Sequence, residues 1–128
     1  MSRIATEFSI VPRVLIVDDD LGFLGVMVFM LSRAGLQVKT ATSGRTALEC
    51  VRDGSFDLVI VDHQMTNMRG IEVVRELART LCCATLMVTS GLITPALADQ
   101  YRSLGVRSFL HKPFVLSDVS QIVINALG

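Results

Sequence analysis

Short apolar runs and longer stretches of mixed apolar and polar residues alternate five times along this chain. Val14–Val17 is continuous and apolar, the pattern of a strand buried on both faces. Leu21–Ala34 follows as a helix, closed by Gly35. Gln37–Ala41 alternates weakly, as an edge strand does. Ser43 caps a second helix, Gly44–Asp53, which ends at Gly54. Leu58–Val61 is the next buried strand, and in the Gly70–Thr80 helix Ile71, Val74, Leu77 and Ala78 share one face. Leu86–Val88 is a fourth strand, and Pro95 opens a helix running to Leu104. Ser108–Leu110 is a short fifth strand, His111-Lys112-Pro113 a turn, and Leu116–Ala126 the last helix. Right-handed crossovers then give an α/β fold: a doubly wound (βα)5 chain, its parallel sheet covered by helices on both faces.

In such sheets function collects at the carboxyl ends of the strands. The first strand ends in Asp18, Asp19 and Asp20, the third in Asp62, the fourth in Thr89 and the fifth in Lys112. The second offers only Thr42, as an edge strand away from the site would. Two carboxylates about 5 Å apart repel by roughly 3 kcal/mol at an effective dielectric near 20, so a cation among them has a clear purpose. Carboxylates without histidine or thiolate partners form a hard oxygen site suited to Mg²⁺, with Mn²⁺ the substitute. Lys112 suits a phosphate oxygen and Thr89 can donate to another. The chemistry indicated is phosphoryl transfer to a carboxylate. Asp62, alone on the central strand, is the candidate nucleophile, and Asp18 and Asp19 the metal ligands.

Composition narrows the setting. A chain of 128 residues with 51% hydrophobic residues can bury one substantial core. Lys+Arg and Asp+Glu balance at 12 each, which gives no electrostatic case for direct binding to nucleic acid or a membrane. Cys50, Cys82 and Cys83 lack metal-ligand spacing and are expected as free, mostly buried thiols. The N-terminus has no continuous apolar signal region, and the Leu21–Leu31 run is too short to span a bilayer. A cytoplasmic chain is expected, with residues 1–12 as an N-terminal extension and 13–128 as the domain.

The ordered segments "VLIVDDD", "DLVIVDHQM", "MRG", "LMVTSG" and "HKPF" resemble the receiver domain of two-component response regulators, from Arg13 to the end of the chain. The resemblance implies the chemotaxis-regulator-like fold in a single-domain form, strand order 2-1-3-4-5. It implies that Asp62 is the phosphoacceptor and that Asp18 and Asp19 bind the metal, Asp19 directly and Asp18 largely through water. The Gln64 backbone carbonyl would be the remaining protein ligand. Thr89 and Phe109 would be the switch pair and Lys112 the phosphate-binding lysine. The implied partners are a histidine kinase or histidine phosphotransfer protein and a downstream protein target. On this reading the chain is not an enzyme, beyond phosphorylation and dephosphorylation of its own Asp62. The shape change would fall on the face built from helix four, strand five and helix five.

The match has departures. Thr66 stands where receivers usually carry Pro, and Arg69 where an acid commonly precedes the loop glycine, Gly70. Both bear on the loop after Asp62, and Arg69 is expected to point into water. Phe109 replaces the more familiar Tyr. In the first helix Phe23, Val26, Met27, Met30, Leu31 and Ala34 fit a core stripe. Leu21, Leu24, Val28 and Phe29 are then left for a partner or dimer surface. His63 and His111 are expected as exposed loop imidazoles, and Met65 and Met68 as loop packing.

Two other readings compete. A pseudo-receiver would keep the fold as a protein-binding module without phosphorylation, but Asp18, Asp19, Asp62, Thr89 and Lys112 fill all the matching positions. A haloacid-dehalogenase-like phosphatase would use Asp18 as nucleophile and Asp20 as acid/base. That leaves Asp62 unexplained, puts Gly22 where Thr or Val belongs, and offers only Asp118 as a later acid. No effector segment follows Gly128, so the chain is expected either to act alone through partners or to have been cut from a longer protein. The kinase, signal and target are not written in the sequence.

Overall fold

The computed structural model describes residues 11–66, 68–80 and 84–128. Residues 1–10 of the expected extension, and Cys82 and Cys83, lie outside the described residues. In chain order the elements are β1 (Arg13–Val17), α1 (Leu21–Arg33), β2 (Gln37–Ala41), α2 (Gly44–Asp53) and β3 (Leu58–Asp62). They continue with α3 (Gly70–Thr80), β4 (Thr85–Ser90), α4 (Pro95–Ser103), β5 (Val106–His111) and α5 (Leu116–Leu127). The strands form one sheet in the order β2-β1-β3-β4-β5, and all the pairings are parallel. Among the described residues no helix is long and apolar enough to cross a membrane.

Alternation along the buried strands divides the core in two. Leu15, Val17, Val59, Val61 and Val88 join residues of α2, α3 and α4 in one cluster. Val14, Ile16, Leu58, Ile60 and Met87 point the other way, into α1 and α5. Val14–Val17 of β1 and Leu58–Val61 of β3 therefore need apolar residues at every position, which is why they are continuous runs.

The helix starts follow local chemistry. Asp20, Ser43 and Thr94 are N-caps whose side chains accept from Phe23, Thr46 and Leu97 N–H groups. Gly35 takes φ +92° just after α1, a conformation in which a side chain would be strained. β5 begins at Val106, earlier than the sequence pattern indicates. A register shift between Leu86 and Met87 sets them against Val106 and Ser108, leaving Arg107 out of the alternation.

The first helix corrects one expectation. Leu24 is buried, with Met27 and Leu31, so it belongs to the core rather than to a partner surface. Val28 is half-buried, Val26 and Ala34 are exposed, and Leu21 and Phe29 stand out at 73% and 60% exposure. The cause is that LGFLGVMVFML is apolar around most of its circumference. Several i, i+3, i+7 stripes are then equally hydrophobic, and the sheet's position selects between them.

Candidate functional site

The sheet's carboxyl edge collects the chemistry. Asp18 directly follows β1, Asp62 ends β3, and Thr89 is paired with Asp62 in the β3–β4 register. Lys112 follows β5 and is fixed by its backbone N–H, which donates to the Ser90 carbonyl at 2.8 Å. One carboxylate oxygen from each of Asp18, Asp19 and Asp62 lies within 4.8 Å of the others. Asp18 and Asp62 are buried, while Asp19 is exposed. Asp20 stays out of the cluster and caps α1 instead.

The cations are fewer than the acids. Lys112 Nζ donates to Asp18 Oδ2 at 2.8 Å and stands 3.5 Å from Asp62 Oδ1. Asp18 Oδ1 also accepts from the Asp20 N–H at 2.9 Å. Burial pushes the Asp62 carboxyl above its ordinary pKa, and the neighbouring Asp18 charge adds to the rise. Lys112 and the Gln64 N–H pull the other way without reversing it. For Lys112, burial acts to lower the pKa, but the bond to Asp18 and the charges of Asp18 and Asp62 outweigh it and hold it raised. The two directions have different balances: two nearby acids overcome burial at Lys112, whereas at Asp62 one shared ammonium does not overcome burial and the Asp18 charge.

Asp19 is held differently. Its Oδ2 accepts from both the Thr66 N–H at 2.8 Å and the Thr66 hydroxyl at 2.7 Å. The hydroxyl bond first, and the amide bond second, lower its pKa. Gln64 is exposed in the turn after β3, in the same loop as Thr66.

Thr89 presents a different feature. It is 1% exposed, and its hydroxyl has no hydrogen-bond partner among the described residues. A buried hydroxyl without a partner costs roughly 1–3 kcal/mol, and here it lies on the strand beside Asp62. Phe109 is half-buried and set edge-on to Tyr101, ring centroids 6.1 Å apart, with the Arg102 guanidinium over its ring.

Two contacts were not legible in the sequence. Tyr101 is fully buried on α4, and its hydroxyl hydrogen-bonds to His63 Nδ1. His63 is therefore half-buried rather than a free loop imidazole, and burial followed by the Arg69 charge lowers its pKa. The other is the Thr66–Asp19 pair, which required knowing how the loop folds back. His111 and Arg69 are exposed, the latter beside Glu72 at 3.7 Å, and Met65 and Met68 pack on the core. Cys50 is a free, half-buried thiol.

Gly70 sets how closely α3 approaches this edge. A Cβ there would lie 2.5 Å from the Asp62 carbonyl oxygen and 2.7 Å from His63 Cα, both backbone atoms. The edge thus combines an acid cluster, a shared ammonium and an unsatisfied hydroxyl, a pocket of the kind that fits a phosphoaccepting carboxylate.

Known proteins place this geometry. The model of the response regulator receiver domain family matches residues 14–124. The chain is 32% identical over 108 residues to chemotaxis protein CheY of Thermotoga maritima, covering 84% of this chain and 90% of that one. It is 30% identical over 115 residues to transcriptional regulatory protein ZraR of Escherichia coli K12, covering 90% of this chain but only 26% of ZraR. It therefore spans about a quarter of that regulator's length. Among solved structures, chemotaxis protein CheY4 of Vibrio cholerae matches with a TM-score of 0.85 at 25% identity, over 91% of this chain and 99% of that one. Matched by family, sequence and fold over most of its length, the chain belongs to the receiver domains of two-component response regulators.

Proposed function

We propose that Asp62 accepts a phosphoryl group from a phosphohistidine on a histidine kinase or histidine phosphotransfer protein, and that the phosphate operates a switch. The observation that carries this reading is the buried Thr89 hydroxyl, which has no hydrogen-bond partner among the described residues and lies in register with Asp62. A phosphoryl oxygen on Asp62 would satisfy it.

An Asp62 carboxylate oxygen attacks phosphorus and the P–N bond to the donor imidazole breaks. The departing nitrogen keeps the electron pair and, with one proton from solvent, histidine is restored. Lys112 neutralises part of the charge on the transferred group, and Thr89 donates to one of its oxygens. The excess of carboxylate over ammonium, in an all-oxygen donor set, fits Mg²⁺, with Mn²⁺ as its substitute. Asp18, Asp19, Asp62 and the Gln64 backbone carbonyl would hold the ion, which when bound supplies positive charge against the carboxylates and the phosphoryl oxygens.

The output follows from packing. Drawing the Thr89 hydroxyl toward phosphate vacates space beside β5, and Phe109 moves inward from its place against Tyr101, so α4, β5 and α5 change shape for a downstream protein target. Turnover is confined to Asp62 itself: phosphorylation from a donor and loss of that phosphate to water. The proposed partner surface keeps Leu21, Phe29 and the half-buried Val28, is joined by Val26, and loses Leu24. Phe23, Lys112, Pro113 and Phe114 line an apolar hollow of about 380 Å³ at the pocket edge. A kinase helix bundle docking here would bring its phosphohistidine to the pocket edge; a second copy of the chain is the alternative occupant.

Intact mass after incubation with acetyl phosphate tests the reading. The expected result is a phosphoryl adduct that requires Mg²⁺ and is lost in Asp62→Asn. Mg²⁺ binding without an adduct, in a quench fast enough to trap a short-lived acyl phosphate, would favour a phosphate-independent binding module.

A further inference from the structure

We infer that Thr66 is a positioning residue for the metal site: it clamps Asp19 in the conformation that binds the ion, and so raises Mg²⁺ affinity. This rests on the metal reading of the pocket given above.

The geometry supplies the argument. Asp19 is exposed, and a free aspartate in water samples several rotamers. Here one of its oxygens, Oδ2, takes two hydrogen bonds from a single residue, the amide and the hydroxyl of Thr66. In that clamped rotamer Asp19 already offers an oxygen within 4.8 Å of those of Asp18 and Asp62. The clamp therefore does not pull Asp19 away from the site. A carboxylate has lone pairs enough to bond Thr66 and a cation together.

The clamp also joins two parts of the site that the chain separates widely. Asp19 follows β1, whereas Thr66 lies in the loop after β3 that also carries Gln64. Bonding Thr66 to Asp19 fixes that loop against the acid pair before any ion arrives. Outer-shell donors of this type orient ligands, and their loss commonly weakens metal affinity by roughly 10–100-fold. For an exposed clamp that keeps its amide bond when the hydroxyl is removed, the lower end of that range applies.

The test is Mg²⁺ titration of the whole chain by isothermal calorimetry, comparing wild type with Thr66→Val and Thr66→Ser. Val is close in shape to Thr but lacks the hydroxyl, whereas Ser retains it. The expected result is an affinity about tenfold weaker in Thr66→Val and near wild type in Thr66→Ser. Thermal melts without metal show whether each variant is folded, and the loop position makes a loss of fold unexpected. Unchanged affinity in Thr66→Val overturns the clamp, as does tighter binding, which would make Thr66 a competitor for Asp19. Absence of Mg²⁺ binding by the wild-type chain overturns the metal reading itself, and the clamp with it.

Discussion

Lys112 Nζ stands 2.8 Å from Asp18 and 3.5 Å from Asp62, so one ammonium is shared unequally between two buried acids. Asp62, the more distant, carries the unrelieved cost: burial first, and the Asp18 charge second, raise its pKa above the ordinary 3.8. An acid with a raised folded-state pKa holds its proton more tightly when folded than when unfolded. Its ionised form therefore subtracts from stability at neutral pH, and that loss is relieved progressively as pH falls from the raised value to the unfolded-state value near 3.8. Asp62→Asn should accordingly melt higher than wild type at neutral pH. The gap should close in acid, below the ordinary 3.8, where Asp62 is protonated in the folded and the unfolded chain alike. Melting curves across that range check both the sign and the window.

Divalent cation should act on the same repulsion. A ligand that binds only the folded state at ten times its Kd adds about 1.4 kcal/mol. Mg²⁺ at that excess should raise the melting temperature of the wild-type chain, and the rise should be largely lost in Asp18→Asn and Asp62→Asn. An equal rise in all three, reproduced by NaCl at matched ionic strength, would mean general screening rather than a site.

Gly70 is the point where the edge of the pocket has no slack. The nearest atoms to an added Cβ belong to the backbone of Asp62 and His63, with the Tyr101 hydroxyl at 2.9 Å behind them. None of these is the movable end of a long side chain on the surface. Gly70→Ala is expected to cost about 2–4 kcal/mol in urea unfolding and to displace α3 from β3.

The first helix gives a contrast between two apolar residues of different fate. Leu24→Glu would put an unpaired charge among Met27, Leu31 and the strands, at about 3 kcal/mol or more. Phe29→Glu, at an exposed position, should stay within about 0.5 kcal/mol. A carboxylate there also precedes Arg33 by four residues, the favourable order on a helix. Urea midpoints of the two variants measure the difference directly.

What could be read from the sequence, and what could not, divides along physical lines. β1 and β3 were legible because strands buried on both faces are apolar at every position, and Asp18, Asp62, Thr89 and Lys112 were legible because parallel strands deliver their next residues to one edge. Leu24 was misplaced because α1 is apolar nearly all round, so periodicity carries no direction there. The Thr66–Asp19 bonds join positions 47 residues apart, a distance over which no local pattern operates. Tyr101 sits in the mixed helix PALADQYRS, where nothing marks its hydroxyl as bound to His63.

Tyr101 also offers a direct optical test of the packing behind the pocket. It is the single tyrosine, and the chain has no tryptophan, so phenolate absorbance reports this residue alone. Burial first, and the Asp62 charge second, push its pKa well above the ordinary 10.0. The folded protein should therefore show no phenolate signal at pH values where the urea-unfolded chain titrates normally, near about 10. The sign for stability follows. Above the unfolded-state pKa the unfolded chain releases a proton that the folded chain retains, so stability falls as pH rises past that point. Tyr101→Phe should lose this alkaline slope and, with the bond to His63 gone, about 1 kcal/mol at neutral pH. A wild-type phenol that ionises with the unfolded profile while the fold persists would mean that the Tyr101 hydroxyl is open to solvent and not held against His63.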